Sequence, residues 1–126
     1  MGFKYRVKTK KSSLSGKDFK YYAVPIRSGM VDIVKLAKLL SQRSTLSQAD
    51  VRATIIGLVE LIEEYLQQGY SVQLDDLGIF TVSASSDGFD NAEDCTPSKV
   101  HAKKICFRAD KNLKKNLKFI RFEKEK

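Results

Sequence analysis

The chain has 126 residues and a mass of 14.2 kDa, enough for one domain, or one domain with an extension. Hydrophobic residues make up 42% and charged residues 30%, an ordinary globular balance, and no apolar run approaches the ~18 residues of a membrane-spanning helix. Lys and Arg number 23 against 15 Asp and Glu, giving a net charge of +8 and a pI near 9.5. That balance points to an anionic partner, most often nucleic acid, although net charge alone also fits a merely soluble basic domain.

The opening Met1-Gly2-Phe3-Lys4-Tyr5-Arg6 is charged at once and has no apolar h-region, so no secretory signal is expected. Arg6 stands where a myristoylation motif needs Ser or Thr, so no lipid anchor is expected either. The charge is segregated. Residues 1–30 carry a net +7, residues 31–70 −1, residues 71–100 −5, and residues 101–126 +7. The two basic ends form one positive surface if they meet in space, and two separate basic tails if they do not.

In chain order, Phe3, Tyr5 and Val7 alternate with Lys4, Arg6 and Lys8, the period of a half-buried strand. Ser12-Ser13-Leu14-Ser15-Gly16 reads as a loop, and Phe19 to Ile26 as a second strand whose Pro25 puts it at a sheet edge. Residues 3–26 thus predict a hairpin. Asp32 is a plausible N-cap for a helix through about Gln42, with Ile33, Leu36, Ala37 and Leu40 at helical spacing.

Ser47, with Asp50 three residues on, opens a second helix whose stripe is Val51, Ile55, Leu58, Val59, Ile62 and Leu66 and which ends at Gly69. Ile56 and Leu61 lie off that stripe, so this helix needs cover on more than one side, as a partner subunit would give. Strands follow at Tyr70–Leu74 and Leu77–Ala84 around a turn at Asp75-Asp76. Ser85 to Pro97 is polar, acidic and turn-rich, with one exposed-looking aromatic, Phe89. Val100–Arg108 reads as a strand, Asp110 to about Phe119 as a lysine-rich helix, and residues 120–126 as a charged tail.

Catalytic motifs are missing. There is no Walker loop, GxGxxG, GxSxG or HExxH, and the lone His101 has no nucleophile in motif context. Cys95, Cys106 and His101 are one ligand short of a structural zinc site and form no CxxC. Two reduced thiols are expected, with a disulfide between them the alternative. The acidic run Asp87, Asp90, Glu93 and Asp94 lacks EF-hand spacing, and Asp75-Asp76 reads as a turn. No enzyme activity, cofactor, metal or small-molecule substrate is expected.

Four features together resemble the HU/integration-host-factor family of bacterial DNA-bending proteins: the helices Asp32–Arg43 and Ser47–Gln68 joined through Ser44-Thr45-Leu46; the strand Ser71-Val72-Gln73-Leu74; the corner Leu77-Gly78-Ile79-Phe80; and Phe107-Arg108-Ala109-Asp110-Lys111-Asn112-Leu113-Lys114. They span residues 31–118, about 70% of the chain. Lys4-Tyr5-Arg6-Val7, Tyr21-Tyr22-Ala23 and Ser28-Gly29 further resemble a longer HU-related branch of Bacteroides-type bacteria with an extra N-terminal strand-forming segment.

The resemblance implies an α+β, HU-like (IHF-like) homodimer: a helical base, a β-sheet saddle and β-arms, plus an N-terminal β-hairpin extension. It divides the chain into an extension at 1–30, an HU-like domain at 31–119 and a charged tail at 120–126. It implies a non-catalytic, largely sequence-tolerant, histone-like protein of the cytoplasmic nucleoid that binds double-stranded DNA and no membrane. By the same likeness Arg108, Lys111 and Lys114 match basic positions of the family's last helix and are the expected phosphate contacts. Lys103 and Lys104 on the preceding strand, and Lys115 and Lys118 further along the helix, add charge of the same sign. The arm departs from the pattern. Ser83 and Ser85 replace arginines at its base, its centre is acidic, and Pro97 lies towards the returning strand instead of in an Arg-Asn-Pro tip. An acidic arm is repelled by phosphate, which leaves a second reading open: a protein-interaction or assembly module on an HU-like scaffold.

Overall fold

The computed structural model describes residues 2–11 and 19–125. Its elements are β1 (Phe3–Lys11), β2 (Phe19–Pro25), α1 (Ile33–Gln42), α2 (Gln48–Gln67), β3 (Val72–Leu74), β4 (Gly78–Ser85), β5 (His101–Ala109), α3 (Lys111–Lys114) and β6 (Phe122–Lys124). Among the described residues these make a mixed α+β fold with two three-stranded sheets, ordered β2-β1-β6 and β3-β4-β5. Residues 1–32 with 116–126 form one compact unit, and residues 33–115 form the other.

In the first unit β1 and β2 pair antiparallel, from Tyr5 opposite Pro25 to Lys11 opposite Phe19. The expected loop at Ser12–Gly16 lies outside the described residues. The expected tail at 120–126 contains β6, which pairs parallel with β1 and stacks Phe122 on Phe3 with ring centroids 5.5 Å apart. A three-residue strand is too short to show a period, so β6 was not visible in the sequence. Of the basic C-terminal stretch, Phe122–Lys124 therefore meets the basic N-terminal strand within the first unit, whereas residues 101–115 belong to the second.

In the second unit α2 starts where its cap is expected: the Ser47 Oγ accepts from the Asp50 N–H at 3.1 Å. It ends at Gly69, whose φ of +90° supplies the left-handed C′ turn that glycine adopts without penalty. Tyr70 does not begin the next strand. Its N–H bonds the Tyr65 carbonyl and its ring meets the Tyr65 ring edge-on at 5.6 Å, so β3 starts two residues later. The last helix is shorter than its leucine spacing predicts. Only Lys111–Lys114 is α-helical, and Lys115–Phe119 continues as 3₁₀ turns. Leu113 and Leu117 remain exposed, so no packed face holds this segment in α-helical register.

Pairing of β4 with β5 runs from Gly78–Ala109 to Ser85–His101. Beyond it, the acidic segment carries two 3₁₀ turns, Ala92–Asp94 and Pro97–Lys99. Cys95 and Cys106 are free thiols, and His101 is exposed at the start of β5.

By register and alternation, Val72, Phe80, Val82, Ile105 and Phe107 share one face of the second sheet. Phe80 and Phe107 pack with centroids 4.9 Å apart. Yet among the described residues only Ala37, Val51 and Leu66 are buried apolar side chains. An open apolar groove of about 790 Å³ runs between α2 and this sheet, lined by Val59, Ile62, Leu66, Phe80, Val82 and Ile105 among others.

Candidate nucleic-acid interface

The polar face of the second sheet leads into the site. Register places Arg108 opposite Ile79, Cys106 opposite Thr81 and Lys104 opposite Ser83, all on the side away from Phe80 and Phe107. Between Ser83 and Ala84 the register slips by one residue: Ser83 faces Lys104, Ala84 faces Ala102, and Lys103 is the extra residue of a β-bulge. The Ser83 Oγ donates to the Lys104 carbonyl at 3.4 Å.

Three hydrogen bonds fix the corner where β5 meets α3. The Asp110 carboxylate caps α3 by accepting the Asn112 N–H at 2.8 Å. The Asp110 N–H donates to the Leu77 carbonyl at 2.9 Å. The Asn112 Nδ2 donates to the Asp76 carboxylate at 2.9 Å, across 36 residues of sequence. Asp76 has φ +67°, a left-handed turn position that Asp tolerates better than most residues. Gly78 completes the corner. A Cβ there would run into the Arg108 carbonyl and lie 2.8 Å from the Phe107 ring, and its φ of +154° already strains an L side chain. Gly78→Ala is therefore expected to destabilise the unit by roughly 2–4 kcal/mol in urea unfolding, from strain and overpacking together. A loss under ~0.5 kcal/mol would show that the corner yields.

This corner brings Arg108, Lys111 and Lys114 around one open concavity of about 390 Å³, with Gly78, Ile79, Ala109 and Asp110. All three cations are exposed, and one carboxylate, that of the capping Asp110, is among them. Such a site can take an anion through charge-assisted hydrogen bonds from the three cations. The other expected residues are placed differently. Lys103 and Lys104 sit at the bulge and border the α2 groove. Lys115 follows α3 directly, whereas Lys118 falls in the other unit, its ammonium 5.2 Å from the Phe119 ring centre. The sequence did not signal Asp76 and Asn112 as a pair; nothing in local spacing connects them.

On the arm, Phe89 is not a free wedge. The Lys99 ammonium sits 4.9 Å from its ring centre, a cation–π contact within the segment. Among the described residues no group of His, Cys, Asp or Glu is arranged to hold a metal ion, and no helix is long and apolar enough to cross a membrane.

The fold is similar to those of several solved structures, including the two that follow. A candidate DNA-binding protein from Bacteroides vulgatus matches at a TM-score of 0.67 and 12% identity, over 97% of this chain and 48% of that one. The chain thus spans about half the length of that protein. The HU protein of an Anabaena HU–DNA cocrystal matches at a TM-score of 0.53 and 15% identity, over 69% of this chain and 97% of its own. No curated protein matches the sequence significantly. A family model does match, across residues 1–124, and the chain belongs to that family, HU-HIG, described as an HU domain fused to wHTH, Ig, or a glycine-rich motif.

Proposed function

We propose that the chain is a non-catalytic DNA-binding protein of the bacterial nucleoid that acts as a homodimer and holds duplex DNA mainly by neutralising phosphates. The observation that carries this reading is the convergence of Arg108, Lys111 and Lys114 on one concavity at the end of an HU-like sheet. Phosphate contacts of this kind position a protein without reading sequence, which makes binding sequence-tolerant. Family membership and the likeness to an HU protein crystallised with DNA support the same reading. The dimer is supported by Ile56, Val59 and Leu61 of α2, which are 45%, 58% and 52% exposed, and by the uncovered groove beside them.

A salt-titrated gel shift on several unrelated duplexes tests the reading. Similar affinities that fall steeply with salt are expected. No shift at 50 mM salt would favour the assembly-module reading, in which the acidic arm docks a basic protein. Phe89→Ala is expected to change duplex affinity less than about twofold, because the ring is occupied by Lys99 and flanked by Asp87 and Asp90. A tenfold loss in the same gel shift would make the arm the principal contact.

A further inference from the structure

The sheet of the first unit carries a second cationic surface, and its register is unusual. Alternation along β1 puts Lys4, Arg6, Lys8 and Lys10 on one face. Pairing adds Val24 opposite Arg6, Tyr22 opposite Lys8 and Lys20 opposite Lys10. At one end of this face β6 supplies acid: Glu123 stands opposite Lys4, and Glu125 forms an ion pair with Arg6 at 3.2 Å. At the other end, among the described residues, no acidic side chain accompanies Lys8, Lys10 and Lys20.

Lys10 and Lys20 face each other directly across the ladder, where Cβ atoms are about 5 Å apart and like charges oppose strand pairing. A local arrangement that works against its own fold marks a functional surface when a ligand relieves it. An anion bound between the two lysines would do so. Tyr22 lies beside them, 45% exposed, with its ring on the same face. An exposed aromatic set among cations is what an unpaired base stacks on while the lysines follow its phosphodiester chain; a base inside a duplex has no free face to offer.

We propose that Lys8, Lys10, Lys20 and Tyr22 form a second nucleic-acid site, selective for single strands and separate from the Arg108, Lys111 and Lys114 concavity. The three lysines neutralise successive phosphates and Tyr22 stacks on a base. A chain with both sites holds a duplex on one unit and an unpaired segment on the other.

The test is fluorescence anisotropy with a labelled 20-nucleotide oligothymidylate and, separately, a 20-base-pair duplex, on the full chain. The unaltered protein is expected to bind the oligothymidylate at 50 mM salt; no binding there overturns the proposal whatever the variants do. Lys8→Gln, Lys10→Gln and Lys20→Gln together are expected to weaken oligothymidylate binding by tenfold or more and to flatten its salt slope by about two units, at roughly 0.7 per phosphate. Tyr22→Ser is expected to cost about tenfold with the slope unchanged, and Tyr22→Phe to restore affinity.

Replacing Arg108, Lys111 and Lys114 by alanine should weaken duplex binding and leave oligothymidylate binding within about threefold. That arm separates failure of this site from failure of the duplex site. The triple glutamine variant should melt no lower than the parent in low salt, because it removes a like-charge pair. An inert Tyr22→Ser, or equal displacement of the oligonucleotide by polyglutamate or anionic vesicles, would reduce the surface to a generic anion patch and overturn the assignment.

Discussion

Ile56→Glu combined with Leu61→Glu is expected to abolish the dimer and, with it, cooperative folding of residues 33–115. These side chains are about half exposed in a single chain, and only three apolar side chains among the described residues are buried. A unit with so small a core does not offset its chain entropy alone. A second copy would cover the α2 face and the groove bordered by Val59, Ile62, Phe80 and Ile105. In that arrangement two buried carboxylates per chain have no partner, and each costs several kcal/mol. The parent should sediment at twice 14.2 kDa at micromolar concentration, and its melting temperature should rise with concentration, as for an obligate dimer. The double variant should sediment as a monomer and lose its cooperative melt. A parent that is a stable monomer, melting independently of concentration, would refute this.

Replacing Arg108, Lys111 and Lys114 together by alanine is expected to weaken duplex binding by about a hundredfold or more at moderate salt, equally for all sequences. Each cation displaces condensed counterions from the duplex, and a dimer loses six of them at once. None of the three side chains is buried, so the melting temperature should scarcely move. Bending should be weaker than an intercalating arm produces, since the occupied Phe89 ring gives nothing to offset the few kcal/mol of unstacking at each step. Electrophoretic phasing of bent duplexes would read this out. A kink that survives the triple variant and disappears with Phe89→Ala would place the bending at the arm.

The parts of the fold visible in the sequence are those set by local chemistry. The Ser47 hydroxyl caps α2, and Gly69, lacking a Cβ, ends it in a left-handed turn. Period-two alternation in residues 3–11 and a second strand read from Phe19 to Ile26 marked a hairpin whose register then aligned Tyr22 with Lys8 and Lys20 with Lys10. The features that were not visible depend on distant partners. β6 exists because Phe122 finds Phe3, and the Asp76–Asn112 bond because a turn meets a helix start. The shortening of the last helix to Lys111–Lys114 could not be read either, because Leu113 and Leu117 have helical spacing but no surface to bury against.

The candidate cations divide in the same way. Arg108, Lys111 and Lys114 are close in sequence and share one corner, so their convergence followed from the strand-to-helix step. Lys104 shares the Arg108 face of β5 but lies four residues from it along the strand, Lys103 is the bulge residue beside it, and Lys118 belongs to the other unit; neither the bulge nor the boundary between the units has a local sequence signal.

The salt dependence of duplex binding, compared between the parent and the Arg108, Lys111 and Lys114 triple alanine variant, tests the central claim most directly. If the parent dimer neutralises six to ten phosphates, its affinity should fall roughly 10³- to 10⁵-fold between 50 and 200 mM salt. The variant's log–log slope should be shallower by about five units, at ~0.9 for each of six lost contacts. A parent slope near zero, or a variant slope equal to the parent's, would contradict the account.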